Sequence, residues 1–333
     1  MKAVLCKAFG APEDLVVEVV DDLTAGDGQV RIDVKACAIN FPDALMIQDM
    51  YQFKPPLPFS PGGEVAGVIS QAGAGVEGIS IGDRVIGSCG WGGMSEQVVL
   101  DAPRIIPMPD EMPFDEAAAF IMTYGTSHHA LKDRANIQPG ESLLVLGAAG
   151  GVGLAAVELG KAMGAKVIAA ASSEEKVQVA KDHGAENGFV YPMQPLDRDQ
   201  QKALSNQIKE LTGGEGADVV YDPVGGDYCE PALRATAWEG RFLIVGFPAG
   251  IAKIPMNLAL LKGCQIIGVF WGAFTARNPV ANKANIQELM DLYKAGKIKP
   301  FVSSTYDFDN AGAGIRELMD RKAKGKVVVT VGE

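Results

Sequence analysis

The sequence is short of the residues from which metal centres and disulfide frameworks are built. Its 333 residues include three histidines and five cysteines. Cys6, Cys37, Cys89, Cys229 and Cys264 are widely spaced, odd in number and form no C-x-x-C pair, so they read as small buried hydrophobes. His128 and His129 are neighbours in an expected helix, and His183 precedes Gly184 at a helix end, where a cap or a C-terminal cation explains it. Positive charge is also lacking: 30 basic residues face 41 acidic ones for a net charge of −11, with no basic stripe, which argues against nucleic acid as a partner. No segment approaches eighteen uninterrupted apolar residues, so no membrane partner is expected. The amino terminus Met1-Lys-Ala-Val-Leu-Cys-Lys7 reads as a strand rather than a leader, which points to a cytoplasmic protein. What the chain does have is 40 glycines and 47 % hydrophobic residues, enough for two compact domains.

The glycines concentrate meaning at one place. Leu143-Leu-Val-Leu146 suits a buried parallel strand, Gly147-Ala-Ala-Gly-Gly-Val-Gly153 a tight turn, and Val152 to Met163 a helix. The N–H groups and positive dipole end of that helix face any anion lying over Ala149, Gly150, Gly151 and Val152. In the G-x-G-x-x-G spacing Ala148 replaces the first glycine, while Gly150 and Gly153 hold the second and third places. On its own the turn fits a dinucleotide site, a methyl-donor site or an unliganded βα turn.

Downstream, strands are expected at Lys166–Ala171, Gly188–Tyr191, Asp218–Asp222, Arg241–Gly246 and Cys264–Phe270, alternating with helices. Together with the first strand they make an α/β unit, a doubly wound parallel sheet of the Rossmann type. At the end of the second strand, where an NAD enzyme places an acid against the ribose hydroxyls, stand Ala170-Ala-Ser-Ser173. Ser172, Ser173 and Lys176 offer hydroxyls and a cation to a phosphate instead, which favours NADP(H); the plainer reading makes Ser172 a helix cap and Lys176 a solvated lysine.

Residues 1 to about 120 differ in character. Short alternating runs such as Gln29–Cys37, Gly63–Ser70 and Asp83–Gly87, broken by glycine and proline, predict a β-rich, partly barrel-like domain. The carboxyl end, with helices over 282–294 and 311–321 and a last strand at Lys326–Val331, is expected to complete it. The boundaries are therefore 1–122 plus 272–333 for the β-rich domain and 123–271 for the inserted nucleotide domain.

Asn40-Phe-Pro-Asp43, Pro61-Gly-Gly-Glu-Val-Ala-Gly67, Gly82-Asp-Arg-Val85, the glycine turn and Gly325-Lys-Val-Val-Val329 together resemble the medium-chain dehydrogenase/reductases over essentially the whole chain. Within them the chain is similar to the zinc-independent NADPH:quinone oxidoreductases, the relatives of zeta-crystallin. Where the zinc alcohol dehydrogenases carry a ligand Cys and a ligand His, this chain has Asn40 and Gly63, and the four-cysteine structural lobe is absent. The resemblance implies a GroES-like catalytic domain around the Rossmann domain, no metal, a homodimer, and hydride delivery from NADPH to a small-molecule quinone or an activated α,β-unsaturated carbonyl. A pathway-specific enoyl thioester, or a non-catalytic nucleotide-binding role, are the alternatives. It also assigns roles: Asn40 beside nicotinamide and substrate, Tyr51 and Tyr124 as cleft tyrosines, Thr126 against the nicotinamide, and Tyr191 flanking the adenosine phosphate. Val224, Phe247, Phe270 and Trp271 stand near the carboxyl ends of expected strands, where open α/β sheets bind ligands. Each also has a structural reading: Asn40 as a helix cap, Tyr51 as a buried tyrosine with its hydroxyl satisfied, Tyr124 and Thr126 as helix-start packing, Phe270 and Trp271 as core or interface.

Overall fold

A computed structural model describes residues 1–331. The chain divides into two units, one formed by residues 1–122 with the chain from Pro300 onward, the other by Thr123–Lys299. The sequence-based boundary at 272 is thus corrected: the chain leaves the inserted unit at Lys299. The reason lies in packing. Helix Pro279–Lys294 returns to the inserted unit, where Lys132 Nζ donates to Glu288 Oε1 at 2.5 Å and Asn285 Nδ2 donates to Asp133 Oδ2 at 2.7 Å.

In the outer unit a seven-stranded sheet runs in the order Val302–Tyr306, Lys326–Thr330, Gln29–Ile39, Glu64–Ala72, Arg84–Ser88, Ile105–Pro107, with Gln97–Asp101 also paired to Gln29–Ile39. Alternation along Gln29–Ile39 buries Val30, Ile32 and Val34 on one face, as a half-solvated antiparallel sheet requires. Register then decides the chemistry. Val327 pairs with Ile39 and Ala38 with Glu64, so three strands bring Lys326, Asn40 and Glu64 to one end of the sheet. Gly67 opens the contact between two of these strands, since a Cβ there would lie 2.3 Å from Asp33 O.

The inserted unit holds six strands, all parallel: Asn187–Val190, Lys166–Ala171, Ser142–Leu146, Ala217–Asp222, Thr236–Ile244 and Gln265–Gly268 across the sheet. In chain order this is 3-2-1-4-5-6, the dinucleotide-binding arrangement, and its uniform direction removes the methyl-donor alternative, which needs an antiparallel strand. Leu143, Leu144, Val145 and Leu146 are fully buried, as a strand covered on both faces must be. The fifth strand begins five residues earlier than its sequence pattern indicates because Ala217 pairs with Thr236 before the register shifts. Strand Gln265–Gly268 is an open edge among the described residues. Beside it in sequence, Trp238, Ile251, Met256, Leu260 and Leu261 are each at least 65 % exposed. No helix among the described residues is long and apolar enough to cross a membrane.

The glycine turn is held by backbone proximity. Gly147 has φ +60°, Gly150 N donates to Gly147 O at 3.0 Å, and a Cβ on Gly153 would sit 2.2 Å from Gly147 O. Gly153→Ala therefore pushes the first turn of helix Gly151–Ala162 off its strand, and a loss of about 1–3 kcal/mol is expected in urea unfolding. An unchanged urea midpoint would show that this turn tolerates a side chain.

Candidate functional site

Strands Ser142–Leu146 and Ala217–Asp222 are adjacent and lead to helices on opposite sides of the sheet, so the crevice at their carboxyl ends is the topological switch point. The glycine turn follows the first strand and Pro223-Val224-Gly225 the second. Their approach is close: a Cβ on Gly147 would lie 2.8 Å from Val224 Cγ2. Buried Asp222 shapes the second loop, its Oδ1 accepting from Val224 N at 2.8 Å and Gly225 N at 2.9 Å and its Oδ2 from the Cys229 thiol at 2.8 Å. Burial raises the Asp222 carboxyl above its ordinary range. Helix Gly151–Ala162 opens with Gly151, Val152 and Gly153, whose N–H groups have no acceptor within the helix. Ala149 is buried behind them, and a Cβ on Gly150 would meet nothing closer than 3.5 Å, so backbone here is open to a diphosphate.

At the end of the second strand the structure separates the two serines. Ser173 is the cap of helix Glu174–Asp182, its Oγ accepting from Lys176 N, and Ser172, half-buried at the strand end, is not spent on capping. Tyr191 arrives next to them because its N–H donates to Ala171 O at 2.9 Å, and its ring lies 4.6 Å from that of Tyr228. Ser172, Ser173, Lys176 and Tyr191 thus gather around one strand terminus that carries no acid, while Glu174 and Glu175 are exposed.

The remaining candidates divide. Phe247 and Phe270 are 57 % and 50 % exposed, available as apolar surface. Trp271 is not: it is buried, its indole N–H donates to Asn282 Oδ1 at 3.3 Å, and its ring lies where a Cβ on Gly125 would come within 2.8 Å. Its large ring fills the gap left by that glycine, so the expected apolar wall reduces to Phe270. Thr126 is half-buried on helix Ile121–His128. Next to it Ser127 Oγ donates to Val152 O at 2.9 Å and meets Tyr221 Oη at 2.8 Å, tying this helix to the glycine turn. Tyr124 is 3 % exposed and its hydroxyl donates to Glu158 Oε2 at 2.6 Å. The expectation of a reactive Tyr124 is corrected accordingly: a buried carboxylate takes its proton-bearing end.

In the outer unit Asn40 stands at the start of helix Phe41–Met46 without capping it. Asp43 closes the helix start instead, its Oδ2 accepting from Asn40 N at 2.7 Å and its Oδ1 from Gly62 N at 3.0 Å. The Asn40 carboxamide turns into the sheet end: Nδ2 donates to Glu64 Oε1 at 2.9 Å, and Oδ1 accepts from Lys326 Nζ at 2.6 Å. Lys326 Nζ also donates to Glu64 Oε1 and to Ile39 O, both at 3.0 Å, and Glu64 Oε2 accepts from Met122 N at 2.8 Å. Neither Lys326 nor Glu64 was among the sequence-derived candidates. Burial pushes the Asp43 carboxyl up to about 6. Tyr51 is half-buried, edge-on to Phe53 at 5.8 Å, and no residue among those described hydrogen-bonds its hydroxyl. Burial, followed by the nearby Asp43 charge, raises its pKa and keeps it protonated.

These donors do not fit zinc. A catalytic zinc takes three protein ligands from Cys, His and carboxylate groups. Here Asn40 offers an amide already bonded to an ammonium, Gly63 has no side chain, and Lys326 already balances the charge of Glu64. Among the described residues no three His, Cys, Asp or Glu side chains gather in a way that could hold a metal. Burial raises the Cys37 and Cys89 thiols, the latter to about 12, which makes them poor thiolate ligands.

Comparison with known proteins gives the family. Residues 151–294 match the family described as zinc-binding dehydrogenase, and residues 26–110 the alcohol dehydrogenase GroES-like domain. A quinone oxidoreductase-like protein 2 homolog of Nematostella vectensis is 39 % identical over 98 % of this chain and 88 % of its own length. Among solved structures, a probable oxidoreductase from Mycobacterium abscessus superposes with a TM-score of 0.89 at 35 % identity, over 99 % of both chains. Escherichia coli quinone oxidoreductase in complex with NADPH gives 0.89 at 28 % identity, over 99 % of this chain and 100 % of that one.

Proposed function

The chain belongs to the medium-chain dehydrogenase/reductases, within them to the quinone oxidoreductase-like proteins, and from that membership we propose that it is an NADPH-dependent, zinc-free reductase of quinones or activated enones. The observation that carries this reading is the strand terminus at Ala171, where Ser172, Ser173, Lys176 and Tyr191 converge and no carboxylate stands to hold a ribose 2′-hydroxyl. Helix Gly151–Ala162 would take the diphosphate, and Val224 and Thr126 would lie along the nicotinamide half. When bound, NADPH supplies the hydride. The protein's part is to orient, to exclude water and to stabilise charge on the acceptor oxygen. Without a Lewis acid that task suits acceptors already activated by a second carbonyl or a conjugated double bond.

NADPH oxidation followed against a panel of quinones, enones and enoyl thioesters, with a chelator present, tests the reading. Turnover of quinones or enones unaffected by the chelator is expected; inhibition by the chelator would contradict the zinc-free assignment, and a thioester preferred by orders of magnitude would name a narrower substrate. Lys176→Ala should weaken NADPH by about tenfold to a hundredfold, the loss of one charge-assisted contact to phosphate, and leave NADH nearly unchanged. Equal losses for both cofactors would remove the phosphate role.

Tyr51 is the better proton donor of the two tyrosines because its hydroxyl is uncommitted, whereas that of Tyr124 is bound to Glu158. Tyr51→Phe should lower enone turnover on the order of 100-fold. Wild-type rates in that variant would leave Tyr51 as packing.

We infer that the expected homodimer forms through the edge of the inserted unit's sheet. Edge strand Gln265–Gly268 offers unpaired backbone, and the apolar side chains of Leu260 and Leu261 precede it. Light scattering should report a dimer that Leu260→Glu with Leu261→Glu converts to monomers. A dimer that survives the double change would lie elsewhere on the surface.

A further inference from the structure

The ammonium of Lys326 has three N–H bonds and three oxygen acceptors, Asn40 Oδ1 at 2.6 Å and Ile39 O and Glu64 Oε1 at 3.0 Å. Its side chain is 5 % exposed and that of Glu64 is fully buried. Such an ion pair is a weak source of stability, because desolvation offsets most of its attraction. It does, however, fix an orientation. A flipped Asn40 amide would set its NH2 against the ammonium and its oxygen against the carboxylate, two repulsions in a region of low dielectric. The amide also feels the charge: an ammonium on Oδ1 draws electron density from the carboxamide and strengthens its N–H groups as donors. One of those hydrogens goes to Glu64 Oε1 at 2.9 Å; the other makes a long 3.4 Å contact to Ala38 O.

We propose that Lys326 and Glu64 are positioning residues for Asn40, holding and polarising its carboxamide so that the Nδ2–H facing Ala38 donates a hydrogen bond to the oxygen of a bound carbonyl acceptor as negative charge develops there. This rests on the reading of Asn40 as part of the reductase site and deepens it. A buried cation acts through a neutral amide, at the family's metal-ligand position, without touching the acceptor. No covalent bond forms at any of the three residues, and no proton leaves Lys326. An enone, whose oxygen must accept a full charge with little help from the rest of the molecule, depends on this donor more than a quinone does.

The test uses the full-length protein with NADPH. Lys326→Met should lower kcat for an enone by about tenfold to a hundredfold, with a smaller fall for a quinone and an unchanged KM for NADPH. Loss of folding alone would depress both acceptors equally and would vanish on correction for folded protein. Should the unpaired Glu64 unfold that variant, Lys326→Met combined with Glu64→Gln removes both charges while keeping shape, and the same enone-selective loss is expected. Either variant turning over the enone at the wild-type rate overturns the positioning role. Asn40→Ala separates this from the underlying reading. If it leaves enone turnover intact, Asn40 lies outside the site and the reductase assignment of this corner fails. If it lowers turnover while the Lys326 variants do not, the inference about Lys326 alone fails.

Discussion

A carboxylate with no exposed surface must be answered by donors from the protein, and in the outer unit the answer organises everything around it. Glu64 receives the Lys326 ammonium, the Asn40 amide and the Met122 N–H, from a strand near the carboxyl end, from the end of the longest strand, and from the last residue before the chain enters the other unit. If Lys326 moves alone a buried charge is left unpaired, and if either of the other two does a buried hydrogen bond is lost. The corner where the resemblance places substrate is therefore set by sheet register as much as by the residues that line it.

The inserted unit repeats the device with different partners. Glu158, on the second half of helix Gly151–Ala162, accepts at Oε2 from the Tyr124 hydroxyl at 2.6 Å and from Lys299 N at 2.9 Å, while Oε1 meets His183 Nδ1 at 2.6 Å. Helix Gly151–Ala162 thus runs from the glycine turn at its amino terminus to a carboxylate anchor further along. Gly160 lets the helix lie close on the sheet, since a Cβ there would meet Leu143 Cδ2 at 2.5 Å. The glycine turn is held by a rigid scaffold rather than by the loop that carries it.

What could be read from the sequence was what is local. The strand, turn and helix around Gly150 lie within 21 residues, and the strands of the parallel sheet announce themselves as apolar runs, of which only the fifth differs by more than two residues at an end. The missing acid after Ala171 was equally plain. The functions of Ser172 and Ser173 were not, because either serine satisfies a capping pattern and backbone geometry chose Ser173. Lys326 stayed hidden because its partners Asn40 and Glu64 are hundreds of residues distant and meet it through antiparallel register. Trp271 looked like a cofactor wall from its place after a strand; its neighbour Gly125, far away in sequence, made it core. The misplaced domain boundary has the same origin, since helix Pro279–Lys294 owes its allegiance to Lys132 and Asp133.

The Glu158 anchor has an entropic side. Tyr124 is the second residue of the inserted unit and Lys299 its last, and both come to a single carboxylate oxygen. Once that unit has folded, the two points where it joins the rest of the chain are tied to one side chain. To the outer unit the whole insertion then costs little more in closure entropy than a short loop. Strands Gln29–Ile39 and Lys326–Thr330, separated by nearly the full sequence, can find each other as though they were near neighbours.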